Sequence, residues 1–142
     1  MISIKKIITL SLLLLIFTSC QNGCNKVKEI EVSSLLINYS KDKNINYCNI
    51  LSSAIKGNDK SIIKLVKLEI FDAVGYDHGN VIIDLITYIG EDKFINSLRN
   101  KLNDKEKGLL IGYLKVGIEY NDKLTQKKLD LLFPKVYDFI SK

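Results

Sequence analysis

The sequence predicts an all-α protein with one small helical domain after an N-terminal leader. Apolar residues recur at three- and four-residue spacings from Glu29 onward, and helix start and stop signals separate the apolar stretches. No alternating strand pattern interrupts them. Residues 29–142 have the length of one ordinary domain. We therefore expect five to seven short helices packed in layers, and a monomer.

The first three predicted helices follow from apolar periodicity. They occupy residues 30–39, 45–55 and 58–71. Polar residues 41–44 separate the first two, and Gly57 ends the second. The third begins at an Asn-Asp pair and has a broad apolar stripe, which predicts a well-buried position.

A glycine-rich segment, Gly75–Gly79, interrupts the pattern after the third helix. We predict an interhelical turn here, with glycines supplying positive φ and Asp77 capping the next helix. That next helix covers residues 81–89 and ends at Gly90 as a C-terminal cap. A further short helix is predicted over residues 94–102.

The next helix begins at a capping-box pattern, in which Asn103 is followed by Glu106. Its apolar positions continue to residue 118. A glycine inside a helix costs about 1 kcal/mol relative to alanine, so glycines here predict close packing against a neighbour. The three glycines are Gly108, Gly112 and Gly117. Pro134 divides the last apolar stretch, residues 124–140, because proline breaks a helix interior.

The N-terminus has the pattern of a secretory signal peptide. Lys5 and Lys6 precede a short apolar run, and Thr18-Ser19 stand directly before Cys20. The run is shorter than the roughly 20 residues that a membrane span needs. An ordinary signal peptide in which Cys20 is incidental, or a retained membrane anchor, would be alternatives to a lipidated N-terminus.

This segment resembles the lipobox of bacterial lipoproteins, although Phe17 replaces the usual aliphatic residue. The resemblance implies that residues 1–19 are removed and that Cys20 receives a diacylglycerol as the first mature residue. Residues 20–28 would be the tether between the lipid and the helical domain. The protein would be anchored in the bacterial cell envelope, and Gln21 favours the outer over the inner membrane.

Charge does not indicate a nucleic-acid partner. The chain has 21 basic and 16 acidic residues, and two of the lysines belong to the leader. Basic and acidic side chains alternate, which is typical of solvated faces. Arg99 is the only arginine, so no cluster of guanidinium groups can bind phosphates.

The cysteines outside the leader are Cys20, Cys24 and Cys48. With Cys20 assigned to the lipid, the other two could form a disulfide in an oxidising compartment. The alternative is a free Cys24 in the tether and a buried Cys48 that packs as a small apolar residue. The sequence leaves both possibilities open.

The Gly75–Gly79 segment is also the only compact polar group that could carry chemistry, through Tyr76, Asp77 and His78. His78 could act as a base or ligand, oriented by an aspartate such as Asp72 or Asp84. One histidine cannot build a two-histidine zinc site, and no phosphate-binding loop or nucleophile motif is present. We favour the turn, and expect no metal, no cofactor and no enzymatic activity.

Aromatic residues near the C-terminus could form a contact surface for a partner, although core positions are more usual. They are Tyr113, Tyr120, Tyr137 and Phe139. The function expected from class and location is a lipid-anchored envelope protein that binds another protein, in an immunity-like or accessory role. The alternative is a hydrolase or small-ligand-binding lipoprotein centred on the Gly75–Gly79 segment.

Overall fold

A computed structural model describes residues 24–121, 123–124 and 126–142 of the chain, so the predicted signal peptide and Cys20 lie outside the described residues. The all-α prediction is confirmed, with eight helices and one small sheet in this part of the chain. The elements are β1 Lys26–Val27, β2 Ile30–Glu31, α1 Ser34–Asp42, α2 Tyr47–Ile55, α3 Asp59–Lys67, α4 Asp72–Ile89, α5 Glu91–Leu98, α6 Asp104–Glu119, α7 Leu129–Leu132 and α8 Pro134–Ile140.

The N-terminal end of the domain differs from the prediction. β1 and β2 pair as an antiparallel hairpin across residues predicted as tether and as the start of a helix. Lys28 adopts a positive φ of 57° in the turn, and Ile30 is buried on the core, which holds this segment extended. The first helix begins only at Ser34, where the Ser33 hydroxyl accepts the backbone N–H of Leu36.

A disulfide joins Cys24 to Cys48, so the hairpin is covalently attached to the first turn of α2. Beside the disulfide, Val32 and Ile30 of the preceding strand β2 pack on the core. The segment from Cys24 onward is therefore part of the folded domain, and the predicted tether would be shortened to residues 20–23.

Several predicted helix boundaries are confirmed by their capping contacts. Asn58 caps α3 by accepting the backbone N–H of Ser61 at 3.0 Å. Asn103 and Glu106 form the predicted reciprocal capping box at the start of α6. Gly90 has a φ of 84° between α4 and α5. Pro134 occupies the first turn of α8, where its missing N–H costs nothing.

The predicted turn at Gly75–Gly79 is wrong, because this segment lies inside the continuous helix α4. Gly79 contacts α6 so closely that an added Cβ would overlap the carbonyl oxygen of Tyr113. A Cβ on Gly117 of α6 would lie 2.6 Å from the carbonyl carbon of Gly79. Tertiary packing thus outweighs the low helix propensity of glycine at these positions.

The prediction of close packing at the α6 glycines holds at one site only. Gly117 meets α4, but a Cβ on Gly108 or Gly112 would find nothing within 4 Å. Both of those glycines lie on the exposed side of α6. They line a surface groove between α4 and α6.

The core is built around α4, which packs against α6 and also contacts α1, α2, α5 and β2. The fully buried core residues of α4 include Ile82, Leu85 and Ile86. Facing helices contribute Leu51, Leu65 and other large apolar side chains to the same cluster. Among the described helices, none combines the length and the apolar character required to cross a bilayer.

Candidate functional site

His78 is completely buried and is hydrogen bonded on both ring nitrogens. Its Nε2 lies 3.1 Å from the carbonyl oxygen of Leu65, which can only accept, so Nε2 carries the hydrogen. The Tyr47 hydroxyl therefore donates to Nδ1 across 2.6 Å. The Tyr113 ring packs edge-on against the imidazole, at 4.7 Å between centroids. This geometry orients His78 as a structural member of the core, out of reach of a substrate.

Burial lowers the pKa of His78 to about 4, because a charged imidazolium would lose its hydration. Protonation therefore favours the unfolded chain, in which histidine titrates near pH 6.5. The stabilisation is complete above pH 6.5 and is lost as the pH falls towards 4. We expect the free energy of unfolding to fall by about 2 kcal/mol between pH 7 and pH 5 from this group alone. Urea unfolding of His78→Gln should lack this slope, and an equal slope in both proteins would contradict the assignment.

The other two residues of the predicted site loop lie away from His78. Tyr76 and Asp77 are half-buried on the outward side of α4, and Asp77 accepts a hydrogen bond from the Ser33 hydroxyl. The predicted constellation of Tyr76, Asp77 and His78 is therefore divided between surface and core. Helix α4 therefore does not place Asp77 where its carboxylate could orient His78 as a base.

Asp77 instead lines an acidic cleft between α4, the β hairpin and the chain after α6. We define this acidic cleft by Glu31, Asp77, Asn80, Asp84 and Asn121. It consists of two adjoining open hollows of about 690 and 800 Å³ that share four of these residues. Asp77, Asn80 and Asp84 follow each other at helical spacing, so one face of α4 forms the floor.

Lys26 and Lys123 also line the two hollows, but the carboxylates that define the acidic cleft form no direct ion pair with either lysine. Within the described residues, none of Glu31, Asp77 and Asp84 takes part in a salt bridge. Burial, and then the negative charge of Glu31, raise the pKa of Asp84, while Lys123 has the opposite effect. A cation bound nearby would favour the charged form of Asp84.

An apolar groove adjoins the cleft, where the start of α4 faces the outer side of α6. We define this tyrosine groove by Phe71, Gly75, Tyr76, Gly108, Gly112 and Val116. It has a volume of about 290 Å³. Phe71 is 59% exposed at its rim, which is unusual for a large apolar side chain. Gly108 and Gly112 form its floor because they leave backbone uncovered there.

A stacked tyrosine pair connects the groove to the cleft. The rings of Tyr76 and Tyr120 are nearly parallel, at 4.2 Å between centroids. Tyr76 lines the groove and Tyr120 lines the cleft. The expectation that the C-terminal aromatic residues belong to the core is wrong for Tyr120 and Tyr137, which are 55% and 46% exposed. Tyr113 is buried as expected.

Two signals in the sequence could have located this surface. Gly117 is in helical phase with Leu110 and Leu114, whereas Gly108 and Gly112 fall outside that apolar phase. The second signal is the helical spacing of Gly75, His78, Gly79 and Ile82, which places these four residues on one face of a helix. Tyr76 and Asp77 then lie outside that face. No comparable signal marks Phe71, whose exposure depends on where α3 ends.

Neither chemistry nor comparison assigns an activity to this surface. The described residues include no group of three or more His, Cys, Asp or Glu side chains that could hold a metal ion. The chain matches no protein-family model, and comparisons with curated proteins and with solved structures find no significant match. The expectation of no metal and no cofactor stays a prediction.

Proposed function

We propose that this protein is a lipid-anchored component of the bacterial cell envelope that binds another protein. The observation that carries the binding role is the stack of half-buried Tyr76 on exposed Tyr120, between an apolar groove and an acidic cleft. Tyrosine is enriched in protein interfaces because its ring contributes a large contact area at low cost in conformational entropy. Immunity against an envelope-acting toxin, or an accessory role in an envelope complex, would both use such a surface.

The chemistry of the surface indicates what the partner offers. The tyrosine groove would accept an apolar side chain, because its exposed area is mostly apolar and its glycine floor admits close approach. The acidic cleft would attract lysine or arginine side chains through Glu31, Asp77 and Asp84. A segment with an apolar residue beside basic residues fits both halves at once.

The alternative centred on the Gly75–Gly79 segment has no comparable support. His78 is enclosed by Tyr47, Leu65 and Tyr113, so substrate could reach the imidazole only if the core opened. Asp77 and Asp84 line the open cleft beside the hydroxyls of Ser33 and Ser34, but no histidine accompanies them, because His78 is the only histidine of the chain and is buried in the core. We therefore do not propose a hydrolase.

The anchor can be tested separately from binding. Mass spectrometry of the protein from its native host should show diacylglycerol on Cys20 as the first mature residue. Cys20→Ser should abolish both the modification and processing at this position. A mature N-terminus elsewhere, without lipid, would overturn the anchoring half of the proposal.

Site-specific photo-crosslinking in the host tests the binding half. A photoreactive amino acid at Phe71 should give one discrete crosslinked protein. The matched control is the same amino acid at Leu131, which is also apolar and 75% exposed but lines neither the groove nor the cleft. Equal products from both positions, or none from Phe71, would contradict a specific interface at the groove.

A further inference from the structure

The acidic cleft lies next to the point where the described chain begins. Asn25 and Lys26 line it together with Glu31 of β2. Asn25 directly follows Cys24 in the sequence, and its carbonyl oxygen accepts the backbone N–H of Val32 at 3.0 Å. One wall of the acidic cleft is therefore built from the chain that connects the folded domain to its N-terminal tether.

Contacts on both sides of β1 fix this wall to the domain. The disulfide to Cys48 attaches Cys24 to α2. Ile30 is buried in the core, where its strand contacts α4. The Ser33 hydroxyl donates a hydrogen bond to Asp77 on the floor of the cleft. Because the disulfide closes this segment at its N-terminal end, the tether ends at Cys24, at the edge of the acidic cleft.

The lipid proposed on Cys20 would hold the acidic cleft close to the bilayer. Cys20 precedes Asn25 by five residues, which span at most about 18 Å when fully extended. A compact domain of this length is roughly 35 Å across. The edge of the acidic cleft would therefore stay within half a domain width of the lipid, whereas the opposite side of the domain could extend further into solution.

The charges of the acidic cleft favour a basic occupant. Four carboxylates line its two hollows, against two lysines, Lys26 and Lys123. Among the described residues that line them, Lys26 and Glu29 form the one ion pair, at 3.5 Å. Negative charge held beside a bilayer repels anionic lipid headgroups. Lysine or arginine side chains of a protein segment at the bilayer surface would instead be attracted both by the cleft and by the headgroups.

Exposed tyrosines at the same place suit a position beside the membrane. Tyr88 and Tyr120 line the larger hollow and are 48% and 55% exposed. Tyrosine is enriched where membrane and water meet, because its ring is apolar and its hydroxyl group is polar. The side of the domain nearest the tether therefore presents aromatic rings next to its carboxylates.

We propose that the partner is a membrane-inserted protein, and that the acidic cleft binds a basic segment of that protein at the bilayer surface. An apolar residue next to the basic ones would enter the tyrosine groove. This inference rests on the lipid anchor and on the binding surface proposed above. It narrows the partner from proteins in general to those whose bound segment directly adjoins a membrane-spanning part.

Photo-crosslinking from the acidic cleft in the native host tests the nature of the partner. A photoreactive phenylalanine derivative at Tyr88 should crosslink to a peptide that contains lysine or arginine and adjoins a membrane-spanning segment, as identified by mass spectrometry. The double substitution Glu31→Gln, Asp84→Asn should remove most of this product. Asp42→Asn, Asp130→Asn is the matched control, because it removes two exposed carboxylates that line neither hollow, and should retain the product.

A second measurement tests the position of the cleft. The isotope-labelled, lipidated protein is reconstituted in nanodiscs that contain a lipid with a paramagnetic headgroup. Amide signals of Asn25 and Glu31 should relax faster than those of α8, which packs on α5, α6 and α7. Cys20→Ser protein added to the same nanodiscs should lose this enhancement, because nothing then holds the cleft at the bilayer.

Three results would overturn the inference. The crosslinked peptide could come from a protein without a membrane-spanning segment, or from a region remote from one. The crosslinked product could be lipid, which would mean that the bilayer itself covers the cleft. The amides of α8 could relax as fast as those of the cleft. Failure of partner binding as such gives a different result, namely no discrete product from Phe71, whereas a soluble protein crosslinked from Phe71 contradicts this inference alone.

Discussion

Gly79→Ala should lower the free energy of unfolding by about 3 kcal/mol, at the upper end of the range for an overpacked core. The added methyl group would overlap the backbone of α6 at Tyr113, and backbone cannot move aside as a flexible side chain can. The helices α4 and α6 would have to separate, which loosens the most extensive helix pair of the domain. Urea unfolding monitored by circular dichroism measures the change.

Gly112→Ala is the matched control on the other side of the same helix pair. Its added Cβ meets nothing within 4 Å, so the gain in helix propensity should stabilise the protein by about 1 kcal/mol. Opposite signs for the two glycine-to-alanine substitutions are therefore expected. A similar change for both would mean that α4 and α6 do not approach each other through Gly79.

Removing the disulfide should have the largest effect on stability. Cys24 and Cys48 are separated by 24 residues in the chain, and closing a loop of this length stabilises the folded state by about 3.5 kcal/mol. The double substitution Cys24→Ala, Cys48→Ala should lower the free energy of unfolding by this amount. A reducing agent should destabilise the unsubstituted protein equally but leave the double variant unchanged. Insensitivity of the unsubstituted protein to reduction would show that the two cysteines are not paired.

Local signals in the sequence predicted those parts of the fold that depend on local chemistry. The Asn58 cap, the Asn103–Glu106 capping box and the Gly90 end of α4 each form within one helical turn, so neighbouring residues determine them. The apolar periodicity likewise identified an all-α domain. These features can be predicted without knowing which tertiary contacts the helices form.

The errors arose where a tertiary contact determined the conformation. The glycines in Gly75–Gly79 were interpreted as turn residues, but helix α4 uses Gly79 for close approach to Gly117 of α6, 38 positions later. The hairpin at Lys26–Glu31 is similarly held by its disulfide and by burial of Ile30. Periodicity alone cannot identify the partner of such a contact.

The candidate site was predictable only in fragments. The sequence indicated Tyr76 and Asp77 as polar residues of interest, and the structure places both on surfaces we consider functional. It did not indicate that His78 points into the core, because a helix rather than a turn determines the side-chain directions. The stack of Tyr76 on Tyr120 joins residues from two helix ends and leaves no local trace in the sequence.

The most direct test of partner binding at the tyrosine groove is to fill the groove without disturbing the fold. Gly112→Arg places a long side chain over the exposed floor, whereas Gly112→Ala leaves the groove open. Photo-crosslinking from Phe71 in the native host should lose its discrete product in Gly112→Arg and retain it in Gly112→Ala, at matched thermal stability. An unchanged product in Gly112→Arg would contradict the proposal that this groove is where the protein binds its partner.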